Sequence, residues 1–287
     1  MTAPARFTAI DLSELPAPNA VEALNFEAIL QEIVADYVDR HPEFSAIVES
    51  EPVLKLLQAF AYRELLLRQR VNDAAKASFL ATAISADLEN LAAFFGVTRA
   101  EGESDDRLRR RTSLAVEAYS TAGPIGAYKF HALTAAPEVK DVSVTSPAPG
   151  QVLVTLLGAE GSGAVSQSTV LAVREALNAE HVRPLTDVVS VKRASIITYS
   201  VDAGLTILPG PAPEPIIAKA QEAVTAYVQR RHGLGRDITA SGLMGALHVD
   251  GVQRVTLRAP ANLPITVHID QAAFCEAVTV KYEGRDA

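Results

Sequence analysis

The run STAGPIGAYKFHALTAAPEVKDVSVTSPAPGQVLVTLLG, residues 120–158, decides the fold class of this chain. Its first part predicts a short helix over Ile125–Ala135, directly after a Gly-Pro pair. Two runs then alternate apolar and polar residues, Val139–Thr145 and Val152–Leu157, on either side of a Pro-Ala-Pro-Gly turn at 147–150. Alternation at period two across such a turn is typical of a β-hairpin. A helix that leads into a hairpin predicts an α+β protein.

Upstream of this run, residues 26–120 are predicted to be almost wholly helical. Apolar spacing and capping residues predict four helices: Phe26–Arg40, Pro52 to about Leu80, Ser85–Phe95 with Ser85 as its N-cap, and one that opens at Ser104. The predicted inner face of the fourth helix consists of Leu108, Thr112, Ala115, Val116 and Tyr119. The second helix is apolar on more than one face, so it needs partners on several sides, either in a core or in a bundle that several chains share.

Downstream of the hairpin, the pattern predicts further helices and strands. The predicted helices are Ser168–Ala179, Ile216–Arg231 and Thr239–Leu247, and the predicted strands lie near Thr186–Lys192, Ile196–Ile207, Val252–Leu257 and Ala277–Tyr282. A faint repeat relates residues 132–147 to residues 246–260. We therefore expect an α+β fold, with an N-terminal helical bundle region followed by small α+β units with antiparallel hairpins. The expected domains are an extended leader at 1–20, a helical core-bundle region at 21–122, and α+β units at 123–208 and 209–287.

Composition and charge exclude several classes of protein. The 287 residues are 48% hydrophobic and 21% charged, the mixture of a globular protein rather than of a disordered or collagen-like chain. The single Cys275 forms neither an intrachain disulfide nor a cysteine-rich zinc site. The net charge of −8 lies wholly in the first 51 residues, which hold ten acidic and two basic residues. An acidic chain repels phosphates and is a poor general nucleic-acid binder, and neither a signal peptide nor a membrane span is expected.

The segment Gly158–Val165 has the frame of a phosphate-binding loop. It follows a predicted strand, precedes a predicted helix and keeps the Gly-x-x-x-x-Gly spacing from Gly158 to Gly163. Ala164 stands where such a loop has lysine, Val165 stands where it has serine or threonine, and Glu160 would place a negative charge inside the cradle. A flexible connector is the favoured interpretation, and a nucleotide-dependent enzyme is the alternative.

Two similar pairs, His248-x-Asp250 and His268-x-Asp270, could each offer two ligands to a metal ion. Asp250 also precedes Gly251 in a turn signal, which explains this aspartate without a metal. The sequence shows no Gly-x-Ser-x-Gly elbow, no cysteine nucleophile signature and no carboxylate pair in an apolar setting. We therefore expect no catalytic residue, no cofactor and no metal, and we keep a metal-dependent enzyme as an alternative.

The one dense basic cluster is formed by Arg107, Arg109, Arg110 and Arg111. Ion pairing with the acidic segment 1–51, within one chain or between chains, is the favoured interpretation. A solvated helix face is a second interpretation, since acidic residues at 103, 105 and 106 neutralise the cluster. Contact with nucleic acid is the third, and it predicts binding that weakens steeply with salt.

Four segments in order along the chain carry a resemblance to a known family: FLATAISADLENLAAFFGVTR at 79–99, ESDDRLRRR at 103–111, a Gly-Pro pair at 123–124, and PEVKDVSV at 137–144. They resemble the baseplate J-like family of contractile phage tails and R-type pyocins. The segment YRELLLRQRVND at 62–73 is similar to the shorter-tailed branch of that family. Glu138 stands where the family often has glycine, which alters a turn detail and leaves the assignment intact.

The resemblance implies a structural baseplate wedge protein without catalytic residues or a cofactor. It implies that two copies join one wedge subunit of the tail protein I type through a shared helical bundle, and that six such units form a ring around the hub and spike. It further implies contacts with a sheath-initiator (gpW-like) baseplate protein and a tail fibre, and a ring that opens when the sheath contracts. The implied location is the tail baseplate of the virion, after assembly in the host bacterial cytoplasm. The expected partner-interface residues are Leu57, Phe60, Leu67, Val71, Arg107, Arg110 and Arg111.

Overall fold

The computed structural model describes residues 12, 15–16, 18–43, 48, 51–120, 122–180, 182–210 and 212–286. The chain divides into two compact units, Met1–Ser113 and Leu114–Ala287. The α+β fold class is confirmed, because helices come first and helix-and-strand units follow. The extended leader expected at 1–20 lies mostly outside the described residues. Within the described ranges, no helix combines the length and the apolar character that crossing a membrane requires.

The first unit is helical, and its first two helices match the predicted ones. Helix α1 spans Phe26–Arg40 and helix α2 spans Pro52–Ala77. The side chain of Asn25 accepts a hydrogen bond from the backbone N–H of Ala28, which satisfies one of the donors that the first turn of α1 leaves unpaired. Proline at the first position of α2 costs no hydrogen bond, because the backbone N–H of another residue at this position would have no partner within the helix.

Helix α3 spans Ser85–Ala93, and helix α4 spans Asp105–Ala118 and runs from the first unit into the second. The prediction that Ser85 caps α3 is wrong. Ser85 is the first helical residue, and its own backbone N–H donates to the carboxylate of Asp105 at 2.9 Å. The cap of α3 is thus supplied from the next helix, 20 residues along the chain.

The buried face of α4 also differs from the predicted one. The residues buried as predicted are Leu108, Thr112 and Ala115. Val116 and Tyr119, however, are 59% and 70% exposed, so their assignment to the inner face is wrong. The buried face turns instead toward Arg111 and Leu114, because Arg111 binds a buried carboxylate and keeps its side of the helix inside.

The first α+β layer of the second unit carries the hairpin. Its elements are α5 (Ile125–Ala135), β1 (Val139–Thr145), β2 (Gln151–Gly158), α6 (Gln167–Leu177) and β3 (Val188–Arg193). Strands β1 and β2 pair antiparallel, so the predicted hairpin is confirmed. Strand β3 follows the crossover helix α6 and pairs parallel to β2, which gives the order β1-β2-β3. Consecutive buried positions in β1 and β2 indicate that both faces of this sheet are covered.

The second α+β layer is another mixed sheet of three strands. Its elements are β4 (Ser195–Ile207), α7 (Pro213–Arg231), α8 (Ala240–Leu247), β5 (Val252–Ala259) and β6 (Gln271–Arg285). In the order β5-β4-β6, β5 is antiparallel and β6 is parallel to the central strand. The buried stripe of α7 recurs every four residues and packs into the core of this layer: Ile216, Ala220, Val224 and Val228. Strand β6 is longer than the predicted Ala277–Tyr282, and α7 begins inside the proline-rich segment at 209–215.

The two sheets are joined by a continuous extended segment, because only Ala194 separates β3 from β4. The N–H of Ala194 still donates to the carbonyl oxygen of Leu156 in the first sheet at 2.9 Å. Lys192 in β3 also pairs with Asp270, just before β6, at 2.6 Å. These contacts hold the two layers together within the second unit.

Candidate assembly interface

Helix α2 buries very little of its surface within this chain. Among its described residues, only Leu57, Ala61 and Asn72 are buried. The side chain of Asn72 bonds both the N–H and the carbonyl oxygen of Glu22, each at 2.9 Å, and so fixes the segment before α1 against α2. One narrow face of this 26-residue helix is thus occupied by its own chain.

A second face of α2 carries large apolar side chains that lie in solvent. Leu56, Phe60, Leu67 and Val71 are 58%, 59%, 67% and 63% exposed. At about 100° per residue, these four positions fall within one sector roughly 60° wide. With a rise of about 1.5 Å per residue, the stripe is roughly 22 Å long. We call these four residues the α2 stripe.

The predicted interface residues of α2 therefore divide into two groups. Phe60, Leu67 and Val71 lie on the α2 stripe, whereas Leu57 packs within the chain on the adjoining face. Leu56 belongs to the stripe although it was not among the expected interface residues. Contiguous exposed apolar side chains of this size are typical of a protein-protein contact surface.

The arginine cluster of α4 is organised around one buried carboxylate. The side chain of Glu103 is fully buried, and it accepts two hydrogen bonds from Arg111, both at 2.7 Å. It also accepts hydrogen bonds from Arg107 at 2.5 Å and from the backbone N–H of Ala100 at 2.9 Å. Burial by itself would raise the pKa of Glu103, but the hydrogen bonds from Arg111 and Ala100 and the nearby positive charges hold this pKa below its usual range. Glu103 is therefore ionised at neutral pH.

Arg109 ties the loop before α3 to α4. Its guanidinium donates to the carbonyl oxygens of Leu80 and Ala83 at 2.8 and 2.7 Å, and it pairs with Asp106 at 2.7 Å. Arg110 is half-buried on the same helix. Since Arg107, Arg109 and Arg111 bind groups of their own unit, their guanidiniums are already engaged, and neutralisation by neighbouring acids explains the cluster better than contact with nucleic acid.

The glycine loop after β2 closes on itself. The N–H of Gly158 donates to the carbonyl oxygen of Gly163 at 2.7 Å. The N–H of Gly163 donates in turn to the carbonyl oxygen of Glu160 at 3.0 Å. A phosphate cradle needs such N–H groups free and pointing outward. Gly163 has a packing role instead, because a Cβ at this position would overlap Cδ1 of the buried Leu157.

Replacing Gly163 by alanine is expected to lower the free energy of unfolding of the second unit by about 2–4 kcal/mol. The residue has φ +87°, which disfavours a side chain, and the added Cβ overpacks the core at Leu157. Urea unfolding checks this value. The matched control is Gly161→Ala, where φ is also positive but no atom lies within 4 Å of a new Cβ, so a loss of about 1 kcal/mol is expected. Equal losses in the two variants would contradict the packing role.

His232 lies half-buried next to this loop, and one of its ring nitrogens, the buried Nε2, is unused. Its Nδ1 bonds the carbonyl oxygen of Ala273 at 2.8 Å, so Nδ1 carries the proton. The Nε2 atom has no hydrogen-bond partner within the described ranges, and it would lie 3.1 Å from a Cβ on Gly163. Burial lowers the pKa of His232 and outweighs the opposing effect of the bond to Ala273, while the charge of Lys140 adds to the lowering and that of Asp141 opposes it.

We expect the second unit to lose stability as the pH falls below about 6.5, the ordinary pKa of histidine. In the folded state the pKa of His232 is lowered, so the unfolded chain binds the proton more readily, and acid favours unfolding. Urea unfolding at pH 7.5 and 5.5 checks this expectation. The variant His232→Asn keeps a donor for Ala273 but cannot titrate, so it should lose less stability across this range than the parent. An identical pH dependence would contradict the assignment.

The two histidine-aspartate pairs do not form one cluster of side chains in the structure. Asp250 pairs with Lys219 at 3.1 Å, and Asp270 pairs with Lys192 at 2.6 Å. The hydrogen bond from Lys192 is the main cause that lowers the pKa of Asp270. Over the described ranges, no group of three or more histidine, cysteine, aspartate or glutamate side chains is placed to hold a metal ion.

Three family models match the chain in order. They are described as the Baseplate J-like N-terminal domain, matching residues 49–106, the Baseplate J-like central domain, matching residues 120–193, and the Baseplate J-like protein C-terminal domain, matching residues 199–281. The first match covers α2 and α3, and the other two cover one α+β layer each.

The chain is also similar to a protein of known name. It is 43% identical over 299 aligned residues to "Baseplate protein J" of Escherichia phage P2, and the alignment covers 96% of this chain and 99% of that protein. Among solved structures, a chain of the anti-feeding prophage baseplate matches with 16% identity and a TM-score of 0.35. That match covers 88% of this chain, which spans about half the length (53%) of the matched chain.

Proposed function

Since the chain belongs to the baseplate J-like family, we propose that it acts as a wedge subunit of the tail baseplate. It is a structural baseplate protein, and its place is the tail baseplate of a phage virion. The observation that carries this conclusion is the 43% identity to a baseplate protein over almost the full length of both chains.

The wedge proposal concerns how the subunit assembles. In it, two copies of this chain and one subunit of the tail protein I type share a helical bundle, and six such units surround the hub and spike. The ring would contact a sheath-initiator (gpW-like) protein and tail fibres, and it would open when the sheath contracts. The α2 stripe supports the bundle, because its exposed apolar side chains need a partner that the described part of the chain does not provide.

The proposed contact surface is centred on Phe60, Leu67 and Val71, joined by Leu56. Arg107 and Arg111 would contribute indirectly, since their bonds to Glu103 hold α4 in place. The half-buried Arg110 remains a proposed contact residue. Leu57 supports the same surface from the adjoining face by packing within the chain.

We assign no catalytic role to the chain. Among the groups that suggested chemistry, Gly163 packs on Leu157, and Asp250 and Asp270 pair with lysines. A scaffold that rearranges during contraction needs specific contacts and no bond chemistry.

The experiment that tests the wedge is the native mass of the chain co-expressed with a tail protein I-type subunit of the same particle. The proposal expects a complex of two copies of this chain with one copy of that subunit. A chain that stays monomeric beside that subunit would contradict the wedge.

A further inference from the structure

The exposed face of α2 follows a seven-residue repeat in which arginine replaces an apolar residue at two positions. The residues that alternate at spacings of four and three are Leu56, Phe60, Arg63, Leu67, Arg70 and Ala74, and all of them are exposed. This is the spacing by which a helix packs along another helix in a coiled coil, with seam positions called a and d. Because an a position is followed by a d position three residues later, Arg63 and Arg70 both fall on d positions beside the α2 stripe, and Phe60, Leu67 and Ala74 fall on a positions.

These two arginines differ from Arg68, which faces the chain's own helix α1. Arg68 hydrogen-bonds Glu64 at 2.6 Å and lies 3.6 Å from carboxylate oxygens of both Glu22 and Glu32, the latter on α1. Helix α1 thus brings one carboxylate, that of Glu32, to this arginine, and the segment before α1 brings that of Glu22. Arg63 and Arg70 have no ion pair with any described residue.

We propose that the α2 stripe binds a helix of a different protein that carries aspartate or glutamate opposite Arg63 and Arg70. The proposal rests on the function proposed above and names the chemistry of the partner at that same surface. Charged residues in the seam fix the register and the choice of partner, because an unmatched charge there opposes association. Arginine suits this role, since its planar guanidinium forms two parallel bonds to a carboxylate.

A second copy of this chain does not satisfy the arginines by itself. In a parallel pair of α2 helices, Arg63 would face Arg63 and Arg70 would face Arg70, and like charges in a seam repel. In the proposed wedge, two copies would bring four arginines to the bundle. The helix from the other subunit is then the one that must supply the acidic side chains.

Two synthetic helical peptides test this inference against the full-length chain. Both have leucine at every a position, and they differ only in having glutamate or lysine at every d position. Fluorescence anisotropy should give at least about tenfold tighter binding of the glutamate peptide, and the difference should shrink as salt is added. With the matched variant Arg63→Gln/Arg70→Gln, which keeps polar helix-forming residues, the two peptides should bind within about twofold of each other.

Several outcomes would overturn the inference. Equal binding of the two peptides, tighter binding of the lysine peptide or binding of neither would each reject an acidic partner helix. A dimer of the chain alone that Leu67→Asp dissolves would identify a second copy as the occupant instead. If the wedge complex forms but the peptides are not distinguished, this inference fails while the proposed function stands. If no wedge complex forms, the proposed function fails whatever the peptides show.

Discussion

The double variant Phe60→Asp/Leu67→Asp is expected to lose assembly with the tail protein I-type subunit while keeping its own fold. Both side chains are more than half exposed in the chain, so removing them costs little internal packing. At the centre of an interface, each such apolar anchor contributes about 2 kcal/mol or more. Losing two anchors and burying two new carboxylates should therefore weaken the complex by about a thousandfold.

The measurement is a pulldown titration of the purified variant against that subunit, with circular dichroism to follow the fold. The free energy of unfolding should stay within about 1 kcal/mol of the parent, as for most surface substitutions. Gln58→Asp is the matched control, because Gln58 is exposed on α2 about 200° away from Leu56. Assembly of the double variant at parental affinity would remove the α2 stripe from the interface.

Replacing Glu103 by alanine is expected to lower the free energy of unfolding of the first unit by about 3–5 kcal/mol. The change leaves the 4% exposed Arg111 without the carboxylate that binds it through two hydrogen bonds. A buried charge that loses its partner is far more costly than the pair is favourable. Urea unfolding followed by the helical circular dichroism signal measures the loss.

Asp106→Ala provides the control for this substitution, because it also removes an aspartate or glutamate partner of an α4 arginine. Asp106 has a 97% exposed side chain, so its pair with Arg109 should contribute less than about 1 kcal/mol. Lowering the pH should also lower the free energy of unfolding of the first unit, as the Glu103 substitution does. Since the pKa of Glu103 is lowered in the folded state, its stabilising effect is complete above the ordinary glutamate pKa of about 4.3 and is lost at lower pH. Similar losses for Glu103→Ala and Asp106→Ala would refute the central role of Glu103.

The sequence predicted best those elements whose signals are local. The bounds of α1 and α5 agree with the predicted helices because their signals are close in the chain: the apolar spacing of α1 and Pro42 after it, and the Gly-Pro pair before α5. The β1-β2 hairpin was equally accessible, since its turn and its alternating strands are adjacent in the chain. Strand β6 was predicted too short, because its pairing partner β4 lies about 75 residues away and pairs with it in parallel.

The candidate interface shows a different limit of sequence reasoning. Apolar residues at 56 and 57 could each belong to an apolar face of α2, and only the tertiary packing determines that Leu57 is buried and Leu56 is exposed. The seven-residue repeat that runs from Leu56 through Arg63 and Arg70 was a usable signal for the exposed face. A search for apolar residues alone misses this repeat, because two of its positions hold arginine. Glu103 was noticed only as a neighbour of the basic cluster, because its burial depends on the loop fold around Ala100.

The native mass of the co-expressed complex is the sharpest test of the proposal that this chain assembles through α2 as a baseplate wedge subunit. We expect one species that contains two copies of this chain and one tail protein I-type subunit, and we expect this species to be missing for Phe60→Asp/Leu67→Asp. A folded monomer that does not bind that subunit at any concentration tested would contradict the proposed assembly.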